Sequence, residues 1–139
     1  MPQKPKFVIF AHNATYDKLH QVATLGMTAA AMGKDVIIVL LFWTIKKLAE
    51  GRIDEVDFPP EYASAAGDVA RLLKEKKVPK ISEMLQDAKH VGTVRLIACS
   101  AGLEYMGVDS RAVEQHVDEV LGLPAILKLT EEAETKLFI

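Results

Sequence analysis

The chain has little of what several protein classes require. It contains a single cysteine among 139 residues, so an intramolecular disulfide is excluded and a reducing compartment is favoured. Its formal net charge is −2, and acidic and basic side chains are interspersed, which leaves no electrostatic footprint for nucleic acid or an anionic membrane. The composition therefore argues against a disulfide-stapled secreted domain and against a nucleic-acid-binding protein.

Long apolar runs are also missing. The longest, residues 36–43, is far shorter than a membrane span. The basic amino end is followed by a short apolar run, residues 7–11, which is too short for the apolar region of a signal peptide. These features predict a soluble, cytoplasmic protein.

Motifs for common metals, cofactors and catalytic groups do not occur. The four histidines and the cysteine have no zinc-binding spacing. No glycine-rich phosphate loop follows a predicted strand, and there is no G-x-S-x-G elbow. The sequence therefore predicts no metal, no cofactor and no Ser-His-Asp hydrolase site.

What the chain does contain is an alternation of strand and helix patterns. Half of its residues are hydrophobic, and its length fits one packed core. Apolar runs without polar alternation suit strands covered on both faces. We predict one domain, residues 1–139, with a three-layer α/β/α fold and a mainly parallel sheet of four to five strands. The predicted strands are residues 6–11, 36–43, 93–99, 125–129 and 135–139, and the predicted helices are residues 16–32, 45–50, 64–77, 82–90 and 110–121.

Three polar residues have predicted structural roles in these helices. Thr44 and Ser82 stand where helix N-caps are expected. His116 falls on the apolar face of its predicted helix, so we expect it to be packed. None of the three is predicted to be functional.

The stretch 93–108, TVRLIACSAGLEYMGV, is the most informative part of the chain. It begins as an apolar run and changes at Cys99 into small and polar residues, a pattern typical of a strand that leads into a helix. Cys99 is thus predicted at the carboxyl end of a strand, beside the first unpaired amides of a helix. Those amides and the helix dipole favour the thiolate, which is the nucleophilic form of cysteine. Because only Arg95 lies nearby in sequence, we expect the backbone rather than a charged side chain to activate Cys99.

Spacing alone favours a simpler role for Cys99. Free cysteine behaves as a small hydrophobe and is among the most buried residue types. Core packing is therefore the interpretation against which any chemical role must be weighed.

The sequence ACSAGLEYMGV changes that balance, because it resembles the cysteine motif of the DsrE/DsrF/DsrH-like family. The resemblance is to the sulfur-carrier, "peroxiredoxin-like" DsrE subgroup, whose motif runs Ala-Cys, small or polar residues, Met-Gly and an aliphatic residue. The matching positions are Ala98, Cys99, Met106, Gly107 and Val108.

Other parts of the chain are similar to the same family. The predicted second strand ends in Phe42-Trp43, and the chain closes with EAETKLFI, as in that subgroup. The resemblance covers most of residues 6–51 and 74–139, whereas residues 52–73 resemble no part of the family.

The resemblance implies small α/β subunits that assemble into trimers or hexamers, and a cysteine that carries sulfur between proteins as a persulfide. Only Cys99 can have that role here. Without a second cysteine, sulfur exchange must occur between molecules, so the implied partners are sulfur donor and acceptor proteins and further copies of the chain. Gly102 and Glu104 differ from the residues that relatives often carry between the cysteine and Met-Gly, which leaves the substrate open.

Five further residues are candidates for a pocket around Cys99. His12 and Asn13 follow the first strand, at the edge where open α/β sheets place ligands. His12 either pairs with the Cys99 thiolate or is an ordinary loop residue, and Asn13 either donates to an anion or belongs to the helix start. Trp43 either walls the crevice or packs in the core or an interface, and packing is favoured. Ser100 and Gly102 are candidates because they belong to the short run of small and polar residues that begins after Cys99.

Three functions are compatible with these observations. The leading hypothesis is a sulfur-relay protein that accepts and passes on sulfane sulfur at Cys99. The alternative is a non-catalytic homo-oligomeric module that binds a small ligand or a protein and has an inert cysteine. A weaker alternative is a thiol-dependent peroxidase, which requires an exposed cysteine that forms sulfenic acid.

Overall fold

Five parallel strands form one sheet in the computed structural model, which describes residues 3–139. The order across the sheet is β4-β3-β2-β1-β5, so β2 lies at the centre. The predicted α/β class and parallel sheet are confirmed, and the limits of β1 and β3 are those predicted. The strands are β1 (Lys6–Ala11), β2 (Asp35–Leu40), β3 (Thr93–Cys99), β4 (Glu119–Leu121) and β5 (Thr135–Phe138).

Helices connect and cover these strands. A 3₁₀ helix, Pro60–Ala65, leads directly into the third α-helix, so the predicted helix over residues 64–77 is shorter than expected. The α-helices are α1 (Tyr16–Ala31), α2 (Trp43–Ala49), α3 (Ala66–Glu75), α4 (Ile81–Val91), α5 (Ser100–Tyr105), α6 (Arg111–Glu114) and α7 (Leu123–Thr130).

The core is built on the three central strands. Val36, Ile37, Ile38 and Val39 of β2 are completely buried, which is why this strand shows no polar alternation. Burying each such side chain stabilises the fold by about 1.5–3 kcal/mol. Gly26 of α1 supports this packing, because a Cβ at Gly26 would lie only 3.2 Å from Ile38 Cδ1.

Topology places the helices in two layers. Strands β1 to β4 are added in one direction across the sheet, so right-handed crossovers put α1 and α4 on the same face, where they pack together. The return from β4 to β5 crosses the opposite face and contains α7. There, Lys6 Nζ of β1 donates to the backbone oxygen of Leu129 at 2.8 Å.

The region 110–121 differs from its predicted single helix. Only α6 is helical, and β4 follows as a short strand beside β3. Asp118 explains the change: its backbone N–H donates to Leu96 O at 2.8 Å, and its carboxylate accepts the Leu96 N–H at 2.7 Å. These long-range bonds fix the chain in extended form at the point where local pattern favoured a helix.

The predicted strand over residues 125–129 is wrong, because this segment belongs to α7. Gly122 is the N-cap of α7, and Pro124 lies in its first turn. Proline is well accommodated there, since the first-turn N–H groups have no partner within the helix. Ile126 faces the core and is completely buried.

Smaller corrections concern the second strand and two caps. Strand β2 ends at Leu40, so Trp43 begins α2 instead of closing the strand, and Thr44 lies inside that helix. Ser82 is in the first turn of α4, where its backbone N–H and hydroxyl both donate to the Asp54 carboxylate at 2.9 and 2.6 Å. Thr44 and Ser82 were both expected to cap a helix, but each instead hydrogen-bonds to a group that the tertiary fold brings close.

The loop that follows α2 packs against residues of α1 and α4. Ile53, Val56 and Phe58 contact a small core cluster that includes Tyr16, Leu19 and Met84. Residues 53–58 thus contribute to a second hydrophobic cluster, although no structure was predicted for them.

Candidate functional site

Cys99 is the last residue of β3 and the N-cap of α5, as its sequence context predicted. It pairs in parallel register with Leu121 of β4. Cys99 is only 3% exposed, and α5 is six residues long. The thiol therefore lies at a strand–helix junction but is covered in this conformation.

Gly102 and Ser100 both lie in α5, on the helix side of this junction. A Cβ at Gly102 would lie 2.6 Å from Ile45 Cδ1 of α2 and 3.8 Å from Cys99 Cβ. The bare glycine therefore permits close packing of α5 on α2 beside the thiol. Ser100 is exposed, and its Oγ lies 3.7 Å from the position of a Cβ on Gly122.

His12 does not lie beside Cys99. It follows β1, whereas Cys99 ends β3, and β2 lies between these strands. Two strand spacings correspond to about 10 Å. His12 is exposed, and its backbone N–H donates to Ile139 O at 2.9 Å.

Asn13 and Trp43 belong to a crevice at the carboxyl ends of β1 and β2. Its volume is about 310 Å³. Trp43 is 57% exposed, which excludes the core position favoured by its aromatic character. Neither Cys99 nor His12 lines the crevice, so Asn13 and Trp43 lie in the crevice, Ser100 and Gly102 lie in α5 next to Cys99, and His12 belongs to neither place. The lining residues are Asn13, Ala14, Thr15, Trp43, Lys46, Lys47, Glu50, Arg52 and Asp57.

Charged groups of the crevice are mostly paired. Lys47 Nζ, on a side chain only 4% exposed, donates to Asp57 Oδ1 at 2.7 Å. Arg52 donates to Glu55 and Glu50 at 2.6 and 3.1 Å, and these hydrogen bonds hold the pKa of Arg52 above its ordinary value. The same contact with Arg52 holds the pKa of Glu55 below its ordinary value.

Sequence reasoning missed Lys47 and Asp57. A lysine in a short helix normally signals a solvated face, and the ten-residue separation from Asp57 has no periodicity that would link them. The only local signal was the apolar character of the neighbouring Ile45 and Leu48, which placed this helix against the core.

Other polar candidates are accounted for without chemistry. His116 is exposed, contrary to the packed position expected, because the helix that was to bury it ends at Glu114. The Asp109 carboxylate accepts the Arg111 backbone N–H at 3.0 Å, and this bond lowers the pKa of Asp109. Within residues 3–139 no group of three His, Cys, Asp or Glu side chains is arranged to hold a metal ion.

No helix in the described part of the chain combines the length and apolar character needed to cross a membrane.

Comparison with known proteins identifies the family of proteins to which this chain belongs. The family model described as the DsrE/DsrF/DrsH-like family matches residues 64–138, more than half of the chain and including the whole cysteine motif. The chain therefore belongs to this family, as its motif indicated. The match starts at residue 64, so residues 64–73 are part of the family region although no resemblance was found for them.

A solved structure shares the whole fold. The protein of unknown function MTH1491 from Methanobacterium thermoautotrophicum is 16% identical, with a TM-score of 0.58 over 98% of this chain and 100% of that chain. At this identity the likeness shows the fold alone. No curated protein matches the chain. Family membership suggests a role in sulfur relay in general terms.

Proposed function

We propose that this protein accepts sulfane sulfur on Cys99 and passes it to a cysteine of another protein. The observation that carries the proposal is the position of the only cysteine, within a family-matched region and at the carboxyl end of a central strand. Ligand and catalytic groups in parallel α/β sheets gather at this edge.

The transfer requires only thiol exchange. The Cys99 thiolate attacks the outer sulfur of a donor persulfide, R–S–S⁻, the donor S–S bond breaks, and R–S⁻ leaves. Cys99 then carries one additional sulfur atom as Cys99–S–S⁻. The thiolate of an acceptor attacks that outer sulfur and releases the Cys99 thiolate, so the sequence needs no external oxidant or reductant.

The burial of Cys99 sets a condition for this chemistry. Reactive cysteines are partly accessible, whereas Cys99 is 3% exposed. Transfer therefore requires a local opening at the α5 or β4 side of the junction, of the kind that short elements undergo at low free energy. Strand β4 has three residues and α5 has six, so both are suited to such opening.

The same burial supports a second candidate function. In this alternative Cys99 is a packing residue and the protein is a binding module that acts through a crevice or an assembly surface. The two functions differ in whether the folded protein reacts at Cys99.

Incubation with a persulfidated donor tests the proposal. Mass spectrometry of the intact native protein should show one added sulfur atom, absent in Cys99→Ser and removed by a thiol reductant. Because the chain has one cysteine, no second thiol confuses the assignment. If the native protein gains no sulfur while the urea-unfolded protein does, the thiol is inert in the fold and the binding module is correct.

We also propose that the protein assembles with itself. Leu127 of α7 and Phe138 of β5 are 62% and 72% exposed, and Phe138 stacks on Phe10 at 4.8 Å between ring centroids. Within residues 3–139, β5 is an edge strand that pairs with β1 alone. Exposed large apolar side chains and an unpaired edge strand are typical of a protein interface.

A further inference from the structure

The crevice beside Trp43 is built from a strained turn. Phe42, between β2 and α2, has φ +48° and ψ −109°, a conformation that non-glycine residues rarely adopt. The completely buried Thr44 holds this turn: its hydroxyl donates to Ala11 O at 2.8 Å and accepts the Leu41 N–H at 3.0 Å. The turn thereby begins α2 with Trp43 facing outward, 57% exposed, at the mouth of the crevice. Strain of this kind persists where the surroundings fix it, and it clusters at functional sites.

The floor of the crevice is fixed by Lys47. Its ammonium group donates to Ala14 O and Asp57 Oδ1, each at 2.7 Å, and to Glu55 O at 3.3 Å. These three acceptors use all three ammonium protons. Lys47 is therefore a brace between α2, the turn after β1 and the loop that contains Asp57, and it has no donor left for a ligand.

Around the opening of the crevice, some polar side chains make no side-chain hydrogen bond or ion pair within residues 3–139. Among residues 3–139, Lys46 Nζ has no carboxylate within salt-bridge distance, and the Asn13 side chain has no hydrogen-bond partner. Thr15 is the N-cap of α1, but its hydroxyl makes no capping bond. The lining contains three cationic and two anionic side chains, and Glu55, which binds Arg52, supplies a third negative charge, so Lys46 is the cation left without a carboxylate partner among residues 3–139.

We propose that this crevice binds a small organic anion with a flat apolar group. The ring lies against the exposed indole of Trp43, the negative charge faces Lys46, and Asn13 supplies an amide donor. A volume of about 310 Å³ is at the lower end of the range of ligand pockets, about 300–1,000 Å³. This site does not involve Cys99, so it extends beyond the proposed sulfur relay and does not depend on it.

Benzoate is the probe that tests this proposal. It has the ring and the charge, whereas benzamide keeps the ring without the charge and acetate keeps the charge without the ring. Trp43 is the only tryptophan, so its indole N–H gives a single reporter signal in an ¹H–¹⁵N spectrum of the labelled full chain. We expect a saturable shift of that signal with benzoate and weaker binding of benzamide and acetate.

Variants with a matched control test whether Lys46 supplies the charged contact and Trp43 the contact with the ring. Lys46→Met should raise the dissociation constant about two- to fivefold, the range of an exposed charge pair. Lys128→Met, the same change on an exposed lysine of α7, should leave it unchanged. Trp43→Leu, followed through the Asn13 side-chain amide, should weaken binding further.

Three results would overturn the proposal: no saturable shift with benzoate, equal binding of benzamide, or equal weakening by Lys46→Met and Lys128→Met. Because Lys46 and Lys128 are both exposed, neither change threatens the fold. The same titration on Cys99→Ser should give the wild-type result, which keeps this test separate from that of sulfur transfer.

Discussion

His12 directly follows β1 and Cys99 is the last residue of β3, both at the carboxyl ends of the parallel strands, but β2 lies between β1 and β3. Cys99 is instead bordered by β4, through its register partner Leu121, and by the first turn of α5. His12, the candidate partner of the Cys99 thiolate, is thus about two strand spacings, or about 10 Å, from Cys99.

This separation predicts that His12→Ala leaves the reactivity of Cys99 unchanged. The alkylation rate of the folded protein with iodoacetamide should match that of the wild type between about pH 6 and pH 9, the range in which histidine and cysteine titrate. The rate for the unfolded protein calibrates the fully accessible thiol. A clear loss of rate in His12→Ala at neutral pH would show that the histidine reaches Cys99 and that the backbone account is wrong.

Gly102→Ala tests the packing of α5 on α2. The new Cβ would lie 2.6 Å from Ile45 Cδ1, in a place where Ile45 is completely buried. We expect a decrease of about 1 kcal/mol in the free energy of unfolding, because an overpacking cost of about 1–3 kcal/mol exceeds the gain of up to about 1 kcal/mol from the higher helix propensity of alanine in α5.

Two further variants isolate that contact in urea titrations. Ile45→Val removes Cδ1, so Gly102→Ala should cost less in the Ile45→Val background. Gly67→Ala in α3, where nothing lies within 4 Å of the new Cβ, should instead stabilise by up to about 1 kcal/mol. Additive effects of Gly102→Ala and Ile45→Val would mean that the two residues do not touch.

The strands at the centre of the sheet could be predicted because burial on both faces is visible in the sequence. Residues 93–99 are apolar almost throughout, and the change to Ser-Ala-Gly identified the junction at Cys99. The region 110–130 was misassigned because its structure depends on contacts with distant residues. Asp118 is held extended by Leu96 of β3, and no local periodicity records that partner.

The sequence identified individual residues of the candidate site but did not show which of them lie together. Cys99 and Trp43 were recognised at the ends of predicted strands and Asn13 after one, but the prediction placed all three in one pocket. The sheet order separates the thiol from the crevice, and sheet order is not encoded in strand patterns. The brace of Lys47 and Asp57 depends on a loop fold that composition alone does not specify.

Lys47→Met should lower the free energy of unfolding by about 1–3 kcal/mol, because Asp57 and two backbone oxygens lose their donor. The loss stays below that of a fully buried ion pair, since the Asp57 side chain is 34% exposed and can be hydrated. Arg71→Met is the matched control: its contacts with Asp68 and Glu75 are exposed, and their loss should cost less than about 1 kcal/mol. Equal effects of the two changes would contradict a bracing role for Lys47.

Alkaline pH should destabilise the fold through Tyr16. Burial, with a smaller contribution from Asp54, raises the pKa of Tyr16 above its ordinary value of 10.0. The folded state then holds the phenol proton more tightly than the unfolded state, so this contribution is complete below about pH 10 and is lost as pH rises through the folded value.

The measurement is the free energy of unfolding in urea at several pH values between about 9 and 11. Tyr16→Phe should lose less stability over this range than the wild type, because it has no phenol to ionise. Tyr62→Phe is the control, since Tyr62 is 62% exposed and its removal should leave the pH slope unchanged. Parallel slopes for the wild type and Tyr16→Phe would show that Tyr16 does not contribute.

Assembly provides the last prediction, through the apolar side chains on α7 and β5. Leu127→Glu places a charge at a position 62% exposed, where it does not disturb the core but would be desolvated in an interface. Light scattering at micromolar concentration should show an oligomer for the wild type, a trimer or hexamer before a dimer, and a smaller species for Leu127→Glu. Leu72→Glu makes the same change at an exposed leucine of α3, 45% exposed, and should leave the assembly intact. A monomeric wild type would refute self-assembly, whereas dissociation by Leu72→Glu alone would move the interface from the β5 edge to α3.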